Sequence, residues 1–186
     1  DISKVMLKIK RKSSPREYLT QEELEEMKEN IKNPMMKIFF KTLYNTGLRL
    51  NEALRLEMND VDLIKKEIFV RNGKGGNHRR IPLSENLTNI LKDYTDNIRT
   101  KRETTRFFAT GQTGRLSEHY VKISLRNALK ESNIKKRITS HTFRHSFASN
   151  LVKQKVNILV IQKLLGHNNI ATTAIYLHAD DNDLRN

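Results

Sequence analysis

The chain has 186 residues, with 35 Lys and Arg against 21 Asp and Glu, a formal net charge of +14. It holds no run of about 18 apolar residues, which excludes a transmembrane helix, and no cysteine, which excludes disulfides, thiolate metal sites and cysteine nucleophiles. The length predicts one domain with a short appendage, the cysteine usage fits a cytoplasmic protein, and the charge surplus points to a polyanion partner, most simply nucleic acid.

Residues 1–15 read as a basic tether: Lys4, Lys8, Lys10, Arg11 and Lys12 crowd there, and Ser13-Ser14-Pro15 breaks any helix. Thr20 with Glu23 three residues on forms a capping box for a helix whose apolar face is Leu24, Met27 and Ile31. Asn33-Pro34 starts a second helix with a stripe of Ile38, Phe39 and Leu43, and Gly47 ends it. A short helix is predicted from about Leu50 to Met58. Glu67–Val70 and Arg79–Leu83 read as two strands joined by the glycine-rich loop 72–77, and Pro82 marks an edge strand. Ser84 caps a helix with Leu87, Ile90, Leu91, Tyr94 and Ile98 on one face. Ser117 caps another with Val121, Leu125, Ala128 and Leu129 inward, and Ser140 a third with Phe143, Phe147 and Leu151. Ile158–Leu165 is a short apolar helix stopped by Gly166, and a last helical stretch holds Ile175, Tyr176 and Leu177. The predicted fold class is mainly α with a small antiparallel β-sheet.

Several of these elements carry groups able to do chemistry. His141 and Arg144 stand three residues apart on a predicted helix, about 60° apart around its axis. A guanidinium offers a planar fork of donors matched to phosphate oxygens; the plainer reading is a capped helix with solvated polar residues. His141 and His145 have the spacing of a zinc-binding helix, but Thr142 stands where the metalloprotease pattern needs Glu, and Arg144 would repel a cation, so no metal site is expected. Arg49 follows a predicted helix end, with Glu52 three residues on, either to orient it or to form a surface ion pair. Lys74 sits in the glycine-rich loop, either as a solvated lysine or delivered to a phosphate. His167 follows a helix-ending glycine, and Tyr176 is either a core residue or a nucleophile that needs nearby cations or a base to activate it. RNA binding is disfavoured, because the aromatics fall mostly on core stripes and there is no Trp.

Five motifs in order, TGLRLNE (46–52), RNGKGGNHRRIPL (71–83), HTFRH (141–145), LGH (165–167) and TTAIYLH (172–178), make residues 16–186 resemble the catalytic domain of a tyrosine recombinase of the phage integrase family. The resemblance implies that Arg49, Arg144 and His167 hold the scissile phosphate of double-stranded DNA. It makes Lys74 the general acid for the departing 5′ oxygen, His141 the acid–base histidine and Tyr176 the nucleophile that forms a 3′-phosphotyrosyl link. Glu52 would support Arg49, and His145 is expected to be structural or phosphate-contacting. Arg71, His78, Arg79 and Arg80, around the loop, are expected DNA contacts. No metal and no cofactor are implied, since guanidinium groups can oppose the charge that builds on the phosphate. Residues 1–15 would be the linker from an N-terminal core-binding domain, and the partners would be specific recombination sites gripped by a homotetramer. The resemblance leaves open mobile-element integration or excision against chromosome dimer resolution. A type IB topoisomerase and a non-catalytic helix-turn-helix module are the alternatives.

Overall fold

The computed structural model describes residues 17–71, 78–167 and 171–174. The expected basic linker, the loop carrying Lys74 and the stretch carrying Tyr176 lie outside these residues. No helix among the described residues is long and apolar enough to cross a membrane.

The helices are α1 (Gln21–Glu29), α2 (Pro34–Thr46), α3 (Leu50–Arg55), α4 (Glu85–Asp93), α5 (Glu118–Lys130), α6 (Ser140–Lys153), α7 (Ile158–Leu165) and α8 (Ala171–Ala174). The strands β1 (Val61–Asp62), β2 (Glu67–Val70) and β3 (Arg79–Pro82) form an antiparallel sheet in that order. A mainly helical fold with a small antiparallel sheet is therefore observed as expected.

Helix α2 is the centre of the domain. Met35, Met36, Ile38, Phe39, Phe40, Leu43 and Tyr44 are all buried, so it is apolar on more than one face and is covered on more than one side. Its two buried threonines satisfy their hydroxyls within the helix: Thr42 Oγ1 donates to the Ile38 carbonyl at 2.8 Å and Thr46 Oγ1 to the Thr42 carbonyl at 2.6 Å. Phe40 stacks on Phe143 of α6 with ring centroids 5.4 Å apart, and Phe39 meets Phe108 edge-on at 5.0 Å. A smaller core of Phe147, Ala148, Val152, Ile161 and Leu165 holds α7 against α6.

The helix ends decide where the polar residues of the site stand. Gly47 caps α2 in the left-handed region with φ 62°, where a Cβ would lie 2.4 Å from Phe147 Cδ1. Only glycine fits both the backbone and the space. Gly166 ends α7 in the same way with φ 65°.

Four sequence expectations shift. The third strand, β1, is only two residues long and carries no alternation to read; Pro82 does lie on an edge strand, β3. Helix α3 stops at Arg55, because the next residues pair sideways: the Phe107 N–H donates to the Leu56 carbonyl at 2.8 Å and the Met58 N–H to the Thr105 carbonyl at 2.9 Å. Helix α4 gives way to a π-helical turn over Tyr94–Ile98, closed by the Arg99 N–H on the Tyr94 carbonyl at 2.7 Å. Buried Tyr94 keeps its place there and donates its hydroxyl to the Phe107 carbonyl at 3.0 Å. Thr139, not Ser140, caps α6: its N–H donates to Thr142 Oγ1 at 3.0 Å. Three residues past Ser140 stands Phe143, which has no acceptor to return that bond.

Candidate active site

Arg144 is the hub. It is 5% exposed, one turn into α6. Its Nη1 donates to the Gly47 carbonyl at 2.7 Å and its Nη2 to the Leu165 carbonyl. Both acceptors sit at helix C-termini, where carbonyls lack intrahelical partners and the dipole favours a cation. The two helix ends carry Arg49 and His167, each two residues beyond a carbonyl that Arg144 holds. One buried guanidinium thus brings together two loops far apart in the chain.

Arg49 leaves the Gly47 turn as the N-cap residue of α3, with a side chain 43% exposed. Glu52, on the first turn of α3, accepts the Arg49 backbone N–H at 2.8 Å and Arg49 Nη1 at 3.0 Å. Glu52 also takes two bonds from Arg79, Nη1 to Oε1 at 2.9 Å and Nη2 to Oε2 at 2.7 Å. Burial pushes the Glu52 carboxyl up, but the hydrogen bonds and charges of Arg79 and Arg49 outweigh it and hold it below the usual carboxylate range.

His167 is half-buried, and its Nδ1 lies 2.9 Å from Oγ1 of the buried Thr173 on α8. Its backbone is tied to Gln162 by the His167 N–H on the Gln162 carbonyl at 3.1 Å and by Gln162 Nε2 on the His167 carbonyl at 3.0 Å. Burial, then the charges of Arg144, Arg49, Arg79 and His145, lower its pKa to about 4. The imidazole is neutral at pH 7, with one ring N–H to give. His145, half-buried on α6, is among the charges that lower the His167 pKa.

His141 is exposed in the first turn of α6, the helix that also carries buried Arg144. Arg71, His78 and Arg80 keep exposure around the end of the sheet. Arg71 Nε stands 2.8 Å from Asp60 Oδ1, and Arg80 pairs with Glu67 and covers the Phe69 ring at 5.5 Å. The His78 ring lies 5.3 Å from that of Phe69.

Arg79 departs from expectation. Its side chain is 4% exposed and is committed to Glu52 and, through Nε, to the Leu164 carbonyl at 2.8 Å. It faces the core side of β3, paired with Val70 and in phase with buried Ile81, so it is not a surface contact for DNA. The period-2 alternation of Arg79, Arg80, Ile81 and Pro82 is the sequence signal that could have found this. Thr173, the partner of His167, left no comparable signal.

Arg49 beyond the end of α2, His167 beyond the end of α7 and Arg144 of α6, which bonds a carbonyl at each end, make a grouping of two guanidinium groups and a neutral imidazole on a mainly helical domain, open to solvent at Arg49. Residues 17–183 match the model of the phage integrase family, and the chain belongs to that family. A tyrosine recombinase of Thermosipho africanus is 38% identical over 143 residues, 76% of this chain and 48% of its own length. The crystal structure of XerA recombinase superposes with a TM-score of 0.78 at 30% identity, covering 92% of this chain and 64% of that one. The XerH site-specific recombinase bound to difH substrate, a pre-cleavage complex, gives 0.71 at 25% identity, covering 87% of this chain and 50% of that one. The chain spans about half the length of the curated relatives it matches.

Proposed function

We propose that the protein is a site-specific DNA recombinase that cuts and rejoins strands through a phosphotyrosyl intermediate on Tyr176. The observation that carries this is the double grip of Arg144 on the carbonyls of Gly47 and Leu165, which gathers Arg49 and His167 beside it. Such a set serves one phosphate: when an oxygen attacks phosphorus, negative charge builds on the nonbridging oxygens, and preorganised donors oppose it without reorganising. His167 Nδ1 and Thr173 Oγ1 share a hydrogen bond; in the tautomer that carries its proton on Nε2, the ring offers a third donor to the phosphate.

In this reading the Tyr176 oxygen attacks phosphorus. The bond from phosphorus to the tyrosine oxygen forms and the bond to the 5′ oxygen breaks, leaving a 3′-phosphotyrosyl link. His141 takes the tyrosine proton or assists its transfer, and Lys74 gives a proton to the departing 5′ oxygen. Attack by a 5′ hydroxyl reverses the step, so the phosphodiester energy is conserved and no ATP is consumed. Two duplexes present four strands, which calls for four nucleophiles and hence a homotetramer on DNA. The cytoplasm is the compartment in which such a substrate is met. Arg71, His78 and Arg80 meet the duplex beside the cut.

A pool of nicked duplexes tests the reading. The protein should form an SDS-resistant adduct with DNA labelled in the segment 5′ of the break, which keeps the 3′ phosphate, and Y176F should form none while still binding. Exchange of strands between two labelled duplexes supports a recombinase; relaxation of supercoils without exchange supports the topoisomerase alternative. Equal behaviour of Y176F and the wild type supports a non-catalytic module.

A further inference from the structure

We propose that Arg79 is a positioning residue for strand cleavage, a strut that holds the His167 loop and Arg49 in register through Glu52. This rests on the recombinase reading and adds a component that the described phosphate-gripping set does not contain.

The geometry is specific. The Arg79 guanidinium spends three donors on two partners that belong to different halves of the site. Nη1 and Nη2 clamp both oxygens of Glu52, and Nε holds the Leu164 carbonyl. The same two Glu52 oxygens accept the backbone and the guanidinium of Arg49. With four donors around it, the carboxylate cannot swing without breaking several charge-assisted bonds at once.

At the other end, Arg79 and Arg144 hold consecutive carbonyls, Leu164 and Leu165, at the last turn of α7. His167 follows two residues later, across Gly166. A Cβ at Gly166 would stand 3.1 Å from Arg79 Cδ and Nη1, so the turn that aims His167 is seated directly on the Arg79 side chain. Arg79 therefore sets the spacing between the Arg49 loop and the His167 loop, while its own 4% exposure keeps it away from DNA. A lysine cannot reproduce this, because a single ammonium lacks the planar fork that spans a carboxylate and a carbonyl together.

Misplacing catalytic groups by about 1 Å can cost about 10²-fold in rate. The test is single-turnover cleavage of a nicked duplex by wild type, R79Q and R79K, with DNA affinity measured over a range of salt. Wild type must form the covalent adduct; if it does not, the recombinase reading itself fails. With the adduct formed, the expectation is that R79Q cleaves about 10²-fold more slowly, that R79K recovers only part of this, and that affinity and its salt slope stay at wild-type values. The ring ¹⁵N shifts of His167 should move in R79Q while those of His119, on α5, stay in place. Wild-type cleavage by R79Q overturns the proposal. So does a salt slope that falls by about 0.9 in log K per log salt, the signature of a lost phosphate contact. If circular dichroism shows R79Q unfolded, R79K decides: slowed cleavage by a folded R79K supports the strut, and a wild-type rate overturns it.

Discussion

Arg144 Nη1 donates to the Gly47 carbonyl at 2.7 Å, and the same guanidinium reaches the Leu165 carbonyl from Nη2. A residue read from sequence as a phosphate ligand is also a structural joint between the ends of α2 and α7. The observed joint and the proposed phosphate grip predict two losses. R144K should slow cleavage by about 10²–10³-fold, as removal of an oxyanion donor does. It should also lower unfolding stability by about 1–3 kcal/mol for each buried carbonyl left without a donor. Single-turnover kinetics and urea melts, run on the same preparation, check both.

Gly47 allows that joint. G47A should cost about 1–2 kcal/mol for placing a side chain in the left-handed region. A further cost of about 1–3 kcal/mol comes from overpacking against Phe147, whose Cδ1 would lie 2.4 Å from the new Cβ. G47A/F147L should recover part of the second loss and none of the first. Urea midpoints of the single and double variants separate the two contributions.

The imidazole of His167 gives a pH signature. Its folded pKa is lowered, to about 4, by burial and then by the charges of Arg144, Arg49, Arg79 and His145. An unfolded histidine titrates near 6.5. Between these values the unfolded chain binds more protons than the folded one, so stability rises with pH through the window. The contribution is complete above about pH 6.5 and is lost as pH falls toward 4. H167Q should flatten this part of the pH–stability curve, and ring ¹⁵N shifts should show His167 neutral from pH 6 to 8.

The two adjacent arginines of β3 should behave oppositely. Arg80 is 62% exposed on its side chain, paired with Glu67 at the surface, whereas Arg79 is 4% exposed. R80Q should reduce the salt slope of DNA binding by about 0.9 for each phosphate it contacts. R79Q should leave the slope alone. Filter binding at several salt concentrations distinguishes them.

Much of this was legible in the sequence because the signals were local. Thr20 with Glu23, Asn33 with Pro34, Ser84 and Ser117 start helices by chemistry that acts within three residues. Gly47 and Gly166 end them where left-handed backbone is needed. Glu52 stands beside Arg49 because three residues span one helical turn. What stayed hidden depends on contacts between distant segments. Helix α3 ends early because Leu56 pairs with Phe107. Arg79 turns inward because α7 offers a carbonyl and α3 a carboxylate across the sheet. His167 finds Thr173 only once α8 packs on α7. The inward phase of Arg79 is nonetheless legible in its alternation with Ile81, against the general tendency of arginine to stand at the surface.

The most direct measurement is peptide mapping of the trapped complex. A nicked duplex that loses a short fragment on cleavage holds the protein in its covalent state. After digestion of both protein and DNA, tandem mass spectrometry reads which side chain carries the nucleotide. The account predicts a 3′-phosphonucleotide on Tyr176, abolished by Y176F and strongly reduced by R144K. A nucleotide on any other residue, or an adduct that survives in Y176F, would contradict it.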